Sequence, residues 1–266
     1  GEEAQQINFG YLLYESTLEK QDSLLREYAL KWLEKYPDNQ VAQHMGNAVL
    51  NRAVRPRAND EYLKNIFDIF APDFEQVLTG LDYRAPELIR CLLEEIYGSK
   101  KSPRLRILDA GCGTGFCGGF LKKYSSFRGL YGVDISEKML EQAQAKKVYS
   151  HLLQSELEQY FSQAKTKFDL IVSADVFTYF GSLEKLLSGM ADSLSAGGRV
   201  IFTVSENNLN DDDYFLHSSG RYLHHQNYVG KVLEKAGFEV EKLERAKLRN
   251  EGENIVYGYV VSALKK

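Results

Sequence analysis

From Leu105 onward the chain alternates between two periods. Short apolar runs, "LRILDA", "GLYGVD", "HLLQ", "FDLIVSA" and "GRVIFTVS", are separated by amphipathic stretches near 116–125, 136–147, 156–164 and 182–195. Strands spaced by helices are joined by crossovers rather than tight turns, so they form a parallel sheet covered on both faces. The ending differs: a helix over 225–236 leads into strands over 238–247 and 254–263, an antiparallel hairpin that closes the sheet. The expected fold class is α/β, a doubly wound sheet of seven strands. Six run parallel and one C-terminal strand runs against them.

Before Leu105, from about residue 8, the spacing is helical. "YALKWLEKYPDN" and the residues before it set Leu24, Leu25, Tyr28, Trp32 and Leu33 on one face, and Pro37 and Asp38 stop the helix. Val41, Met45, Val49 and Leu50 start a second stripe. The pair resembles a tetratricopeptide-type hairpin, assigned to residues 1–54. A solenoid needs about three such units to bury a core, so the reading is a helical extension resting on the next domain. A protein contact through these helices is the alternative. The linker "NRAVRPRANDE", 51–61, leads into the segment 55–100, which continues as helices joined near Tyr83 and Pro86. Residues 101–266 are the sheet domain, and Tyr62, Phe70 and Tyr83 are expected to roof its ligand site.

Composition limits the partners. A formal net charge of −4 over 266 residues, with no basic tract, argues against nucleic acid. No stretch approaches the about 18 apolar residues of a membrane helix. "GEEAQQINFG" lacks the basic start and apolar middle of a signal peptide. Cys91, Cys112 and Cys117 include no CxxC pair, so neither a disulfide scaffold nor a metal site is expected. A cytoplasmic protein is the expectation.

"RILDAGCGTGF" places an acid and three glycines after the first strand. A glycine-rich turn opening a helix lets backbone approach a ligand closely. The dinucleotide fingerprint GxGxxG fails from Gly111, because Phe116 holds the last position, and succeeds from Gly113, Gly115 and Gly118. That second frame extends the strand through Cys112 and buries Asp109 unpaired within the sheet, a costly arrangement. With the turn starting at Gly111, Asp109 instead sits at the strand's carboxyl end, facing the ligand crevice. A carboxylate there suits a cationic ligand better than a pyrophosphate.

The next strands add acids at the same edge. Asp134 ends "GLYGVD", 19 residues after Gly115, where a carboxylate can accept both hydroxyls of a ribose. Its rival role, capping the next helix, is served equally well by Ser136. Glu156 in "QSELEQ" is placed to accept from an adenine amino group, with Leu157 offering backbone to the ring. Asp175 follows the fourth strand beside Phe177, Tyr179 and Phe180.

In this order the pieces resemble a class I S-adenosylmethionine-dependent methyltransferase over about residues 100–264. "LDAGCGTG" is similar to that family's first motif, "GVDIS" to its acidic ribose motif, and "FDLIVSADVF" with "LSAGGRVIF" to its later ones. The preceding helical, tetratricopeptide-like segment is similar to a bacterial group of methyltransferases. Glu156 departs from the aspartate commoner at its place, and the NPPY-type sequence of amino-methylating nucleic-acid enzymes is absent. The resemblance implies a Rossmann-like fold and S-adenosylmethionine as cofactor, with S-adenosylhomocysteine as product. It implies a cofactor set of Asp109, Gly111, Cys112, Gly113, Asp134, Ile135, Met139, Glu156, Leu157, Asp175 and Val176. It also implies methyl transfer to oxygen or nitrogen, on a small-molecule acceptor by the composition above.

"FLHSSGRYLHHQNY" follows the fifth strand, on the side where such folds admit substrate. His224 and His225, with Tyr179, are the candidate catalytic groups. Arg221, Tyr222, Tyr62 and Tyr83 are the candidate acceptor contacts, Arg221 through a carboxylate or phosphate. A silent cofactor-binding protein and an NAD-dependent oxidoreductase using the Gly113 frame stay open at this stage.

Overall fold

In the computed structural model, residues 1–18, 22–52, 55–98, 103–252 and 254–266 are described. Seven strands form the sheet: β1 (Leu105–Ala110), β2 (Ser125–Asp134), β3 (His151–Gln154), β4 (Phe168–Ser173), β5 (Leu194–Ser205), β8 (Phe238–Glu251) and β9 (Asn254–Lys265). Their order is β3-β2-β1-β4-β5-β9-β8. β9 pairs antiparallel with both β5 and β8, and the other pairings are parallel. The expected fold class is therefore the one observed. The chain winds outward from β1 to β3, then returns to β4, so strand order reverses between β1 and β4. A crevice opens at such a switch point, above the carboxyl ends of the strands.

The helices α7 (Gly118–Tyr124), α8 (Glu137–Ala145), α9 (Leu157–Gln163), α10 (Glu184–Ser193) and α11 (Gln226–Lys235) follow the predicted stretches within a few residues. One sheet face is buried under α9, α10 and α11 through Phe161, Leu187, Met190 and Leu233. The other is buried under α7 and α6 (Ala85–Tyr97) through Leu121, Ile89 and Leu93. A short hairpin, β6 (Tyr214–Leu216) with β7 (Tyr222–His224), lies outside the main sheet and was not expected from the pattern.

A separate core joins α1 (Glu2–Thr17), α2 (Asp22–Lys35), α3 (Gln40–Val49) and α4 (Asp60–Phe70), through Ile7, Leu13, Trp32, Met45, Tyr62 and Ile66. The division between cores thus falls after α4, inside the segment 55–100, because α4 completes the helical core and α6 the sheet face. On α2 the buried side is Leu25, Ala29 and Trp32, whereas Leu24 and Tyr28 are each 46% exposed. Trp32 is fixed by Nε1 donating to Gln6 Oε1 at 2.6 Å, so α1 supplies the partner that the α2 stripe needs. Among the described residues, no helix is long and apolar enough to cross a membrane.

Candidate functional site

β1 stops at Ala110, and Gly111 turns the chain at φ 75°. A Cβ there would lie 2.4 Å from Val176 Cγ2, so glycine is required on both conformational and steric grounds. The Gly111 and Cys112 amides both donate to the Val133 carbonyl, at 2.8 and 3.0 Å, which sews the turn to β2. The turn therefore begins at Gly111. The Gly113 frame of a dinucleotide fingerprint, which needs strand through Cys112, is not the frame of this fold.

Two buried carboxylates flank the turn. Asp109 is 1% exposed and accepts from the Tyr149 hydroxyl at 2.6 Å. Burial pushes its carboxyl up to about 7, against the Tyr149 bond and reinforced by the Asp134 charge. Asp134 Oδ2 accepts from the Gly113 amide at 2.8 Å, and Oδ1 from the Ser136 amide at 2.9 Å. Burial raises it to about 6, opposed by those backbone donors. Ser136 itself caps α8, accepting from the Met139 amide at 3.1 Å, so Asp134 is free of that duty. Among the described residues neither acid is paired to a cation within ion-pair distance. Two adjacent buried acids without a counter-charge are poised for a cationic or donor-rich ligand.

Both acids line one cavity at the switch point of the sheet. Leu63 and Phe67 of α4, Phe74 and Leu78 of α5 (Phe74–Gly80), and Tyr83 roof it. The roof is tied to the ligand loop. Thr114 Oγ1 donates to Glu75 Oε1 at 2.6 Å, Glu75 also pairs with Lys146, and Ser136 Oγ donates to Asp68 at 2.6 Å. Gly111, Cys112, Gly113, Ile135, Met139, Ser155, Glu156, Leu157 and Val176 line the remainder. Glu156 caps α9, its two oxygens accepting from the Glu158 and Gln159 amides at 2.9 and 2.8 Å.

After β4 stands a charge cluster that the sequence pattern did not reveal. Asp175, at φ 55°, takes both oxygens to Arg249 Nη1, at 3.2 and 3.1 Å. Arg249, 2% exposed, also donates through Nε to Glu251 at 2.9 Å. Glu251 further accepts from Tyr14 of α1 at 2.8 Å and from Arg221. Burial pushes the Glu251 carboxyl up, but Arg221 and Arg249 prevail and hold it down at about 2. Asp175, Tyr179 and Arg221 line the cavity.

Other candidates lie elsewhere. In β7 side chains alternate, so Tyr222 and His224 turn inward while Arg221, just before them, reaches the cavity. His224 is fully buried, with Nε2 on the Gly181 carbonyl at 3.1 Å, and burial lowers it to about 4. His225 is the N-cap of α11, its side chain accepting from the Asn227 amide. Tyr222 donates to the Arg55 carbonyl at 2.6 Å, and Tyr62 to Met45 Sδ at 3.4 Å within the helical core. These four, and Phe70, do not line the cavity, because each meets its packing and bonding demands elsewhere. Tyr83, Tyr179 and Arg221 do line it. Missed were Ser155, the roof residues Leu63, Phe67, Phe74 and Leu78, and the partners Tyr14, Tyr149, Arg249 and Glu251. The charges of "RNEGEN" between two strands are the sequence signal that could have drawn attention to Arg249 and Glu251.

Residues 108–202 match a family model described as a methyltransferase domain. Human methyltransferase-like protein 27 is 43% identical over 89 residues, which cover 33% of this chain and 35% of that protein. A malonyl-[acyl-carrier protein] O-methyltransferase of Priestia megaterium is 26% identical over 151 residues, 56% of this chain and 53% of that one. The matched stretch thus spans about a third to a half of these relatives' length. Among solved structures, a magnesium protoporphyrin IX methyltransferase from Synechocystis with bound SAM is similar at TM-score 0.53 and 20% identity, over 68% of this chain and 79% of that one. An SAM-dependent methyltransferase from Thermotoga maritima, described as a possible histamine N-methyltransferase, is similar at TM-score 0.54 and 19% identity, over 77% of this chain and all of that one. These likenesses to solved structures show a shared Rossmann-like fold.

Proposed function

We propose that this chain is an S-adenosylmethionine-dependent methyltransferase acting on an oxygen or nitrogen of a small-molecule acceptor. The observation that carries the reading is the pair of buried acids Asp109 and Asp134, uncompensated by any described cation, on either side of the Gly111 turn within one roofed cavity. The domain match over residues 108–202 agrees with it.

Asp109 and the Gly111 carbonyl are assigned to the cationic amino-acid end of the cofactor. Asp134 is assigned to the ribose hydroxyls, and Glu156, Ser155 and the Leu157 backbone to the adenine end. Both Glu156 oxygens already cap α9, so any adenine contact uses their remaining lone pairs. When bound, the cofactor supplies a methyl group already activated by a sulfonium. In-line displacement then demands mainly orientation and exclusion of water, and orientation alone contributes about 7–11 kcal/mol. The roof formed by α4, α5 and Tyr83 excludes water, and Tyr179 and Asp175 also line the cavity. The helices α1–α4 are read as part of that enclosure rather than as a peptide-binding array, since Tyr14 of α1 bonds Glu251 on the cavity's far side.

Asp134→Ala tests the assignment. It removes two charge-assisted bonds to ribose, each worth about 1.5–3 kcal/mol, so calorimetry should find S-adenosylmethionine binding at least about tenfold weaker. Unchanged affinity in a folded variant would refute the role of β2. Tight cofactor binding with no turnover on any acceptor would instead favour a silent binding protein.

A further inference from the structure

Arg221 is the single arginine or lysine among the described residues that line the cavity, against four lining acids: Asp109, Asp134, Glu156 and Asp175. Its Nη1 is taken by Glu251. Its Nε and Nη2 have no partner among the described residues, and the side chain is 22% exposed. Glu251 fixes the guanidinium from behind and is itself fixed by Arg249 and Tyr14. A planar fork held rigidly at one edge and open at the other is the geometry that recognises a carboxylate by two parallel bonds. Tyr179 lines the same cavity, and its hydroxyl has no partner among the described residues. Leu63, Phe67, Phe74, Leu78, Val176 and Phe180 give the cavity an apolar portion as well.

We propose that the methyl acceptor is an amphipathic carboxylic acid, its carboxylate gripped by the open edge of Arg221 beside the Tyr179 hydroxyl and its apolar body lying under the α4–α5 roof. The proposal rests on the methyltransferase reading above. Tyr14, Glu251 and Arg249 act as positioning residues, because they touch Arg221 or its partner and do not face the acceptor themselves. The helical extension thereby contributes to acceptor choice through one hydroxyl.

The test uses the full chain saturated with S-adenosylhomocysteine, titrated with octanoate, octanol, octylamine and octyl phosphate. Octanoate should bind about tenfold or more tightly than octanol and octylamine, and more tightly than octyl phosphate. Arg221→Met should cost octanoate about tenfold while S-adenosylhomocysteine affinity stays within about twofold. In that variant Glu251 keeps Arg249 and Tyr14, so no buried charge is left unpaired, and retained S-adenosylhomocysteine binding reports the fold. Equal affinity for octanoate and octanol, preference for octyl phosphate, or no effect of the substitution overturns the proposal. Equal loss of both ligands also overturns it, and assigns Arg221 to the cofactor's own carboxylate. Failure of the wild-type chain to bind S-adenosylhomocysteine overturns the methyltransferase reading itself, and this proposal with it.

Discussion

Lowering the pH should weaken cofactor binding through Asp109. Its carboxyl is raised to about 7 by burial, so in the free protein it carries its proton below that pH. A cationic ligand group favours the ionised form, and binding must therefore release the proton. The sign follows: affinity is full above about 7 and falls as pH drops through that value, by tenfold per unit at the limit. Between about pH 7.5 and about pH 6 this one group weakens binding roughly eightfold. Asp134, raised to about 6 and ionised when it accepts from ribose, brings the loss to roughly fifteenfold. Calorimetric titration of S-adenosylhomocysteine across this range measures the effect directly. 5′-Methylthioadenosine lacks the amino-acid end and should respond only through Asp134. Asp109→Asn should bind more weakly and show a flattened profile. A wild-type affinity that is level, or that rises toward acid pH, would refute the placing of a cation on Asp109.

Two substitutions separate the ligand loop from the capping histidine. Gly111→Ala forces a side chain into φ 75° and places its Cβ 2.4 Å from Val176 Cγ2. It should cost at least about 1–2 kcal/mol, seen as a Tm lowered by several degrees together with loss of cofactor affinity. His225→Ala removes the side-chain acceptor at the start of α11 and should cost about 1 kcal/mol of stability. Cofactor affinity and the pH profile of turnover should not change, and a collapse of kcat at constant stability would restore His225 to the chemistry.

The sheet was legible because its signal is repetitive. Five apolar runs separated by helices, three of them ending at Asp109, Asp134 or the Asp175 turn, leave few topologies open. Asp109 and Asp134 could be placed from the strand ends alone, since the switch point of a doubly wound sheet gathers them. Short-range alternation was harder to read. β7 has three residues, and nothing in "RYLHHQ" says that its register turns His224 into the core and leaves Arg221 outside. On α2 the five apolar residues cover more than one face, and the choice of Leu25, Ala29 and Trp32 was made by α1, a partner distant in sequence. The Arg249–Glu251 cluster lies at the far end of β8, which runs four residues beyond the predicted limit of 247. Charged residues in an edge strand ordinarily face water. Only the tertiary approach of Tyr14, Asp175 and Arg221 gives these two a buried role.

The Asp109–Asp134 cavity should take an adenosyl amino acid rather than a dinucleotide. Calorimetric titration of the full chain with S-adenosylhomocysteine and with NADH, repeated on Asp134→Ala, tests it most directly. One S-adenosylhomocysteine should bind per chain in roughly the micromolar range typical of enzyme ligands, at least about tenfold weaker in the variant, with no saturable NADH binding. Saturable NADH binding in place of S-adenosylhomocysteine, or equal affinity of the two proteins for S-adenosylhomocysteine, would contradict it.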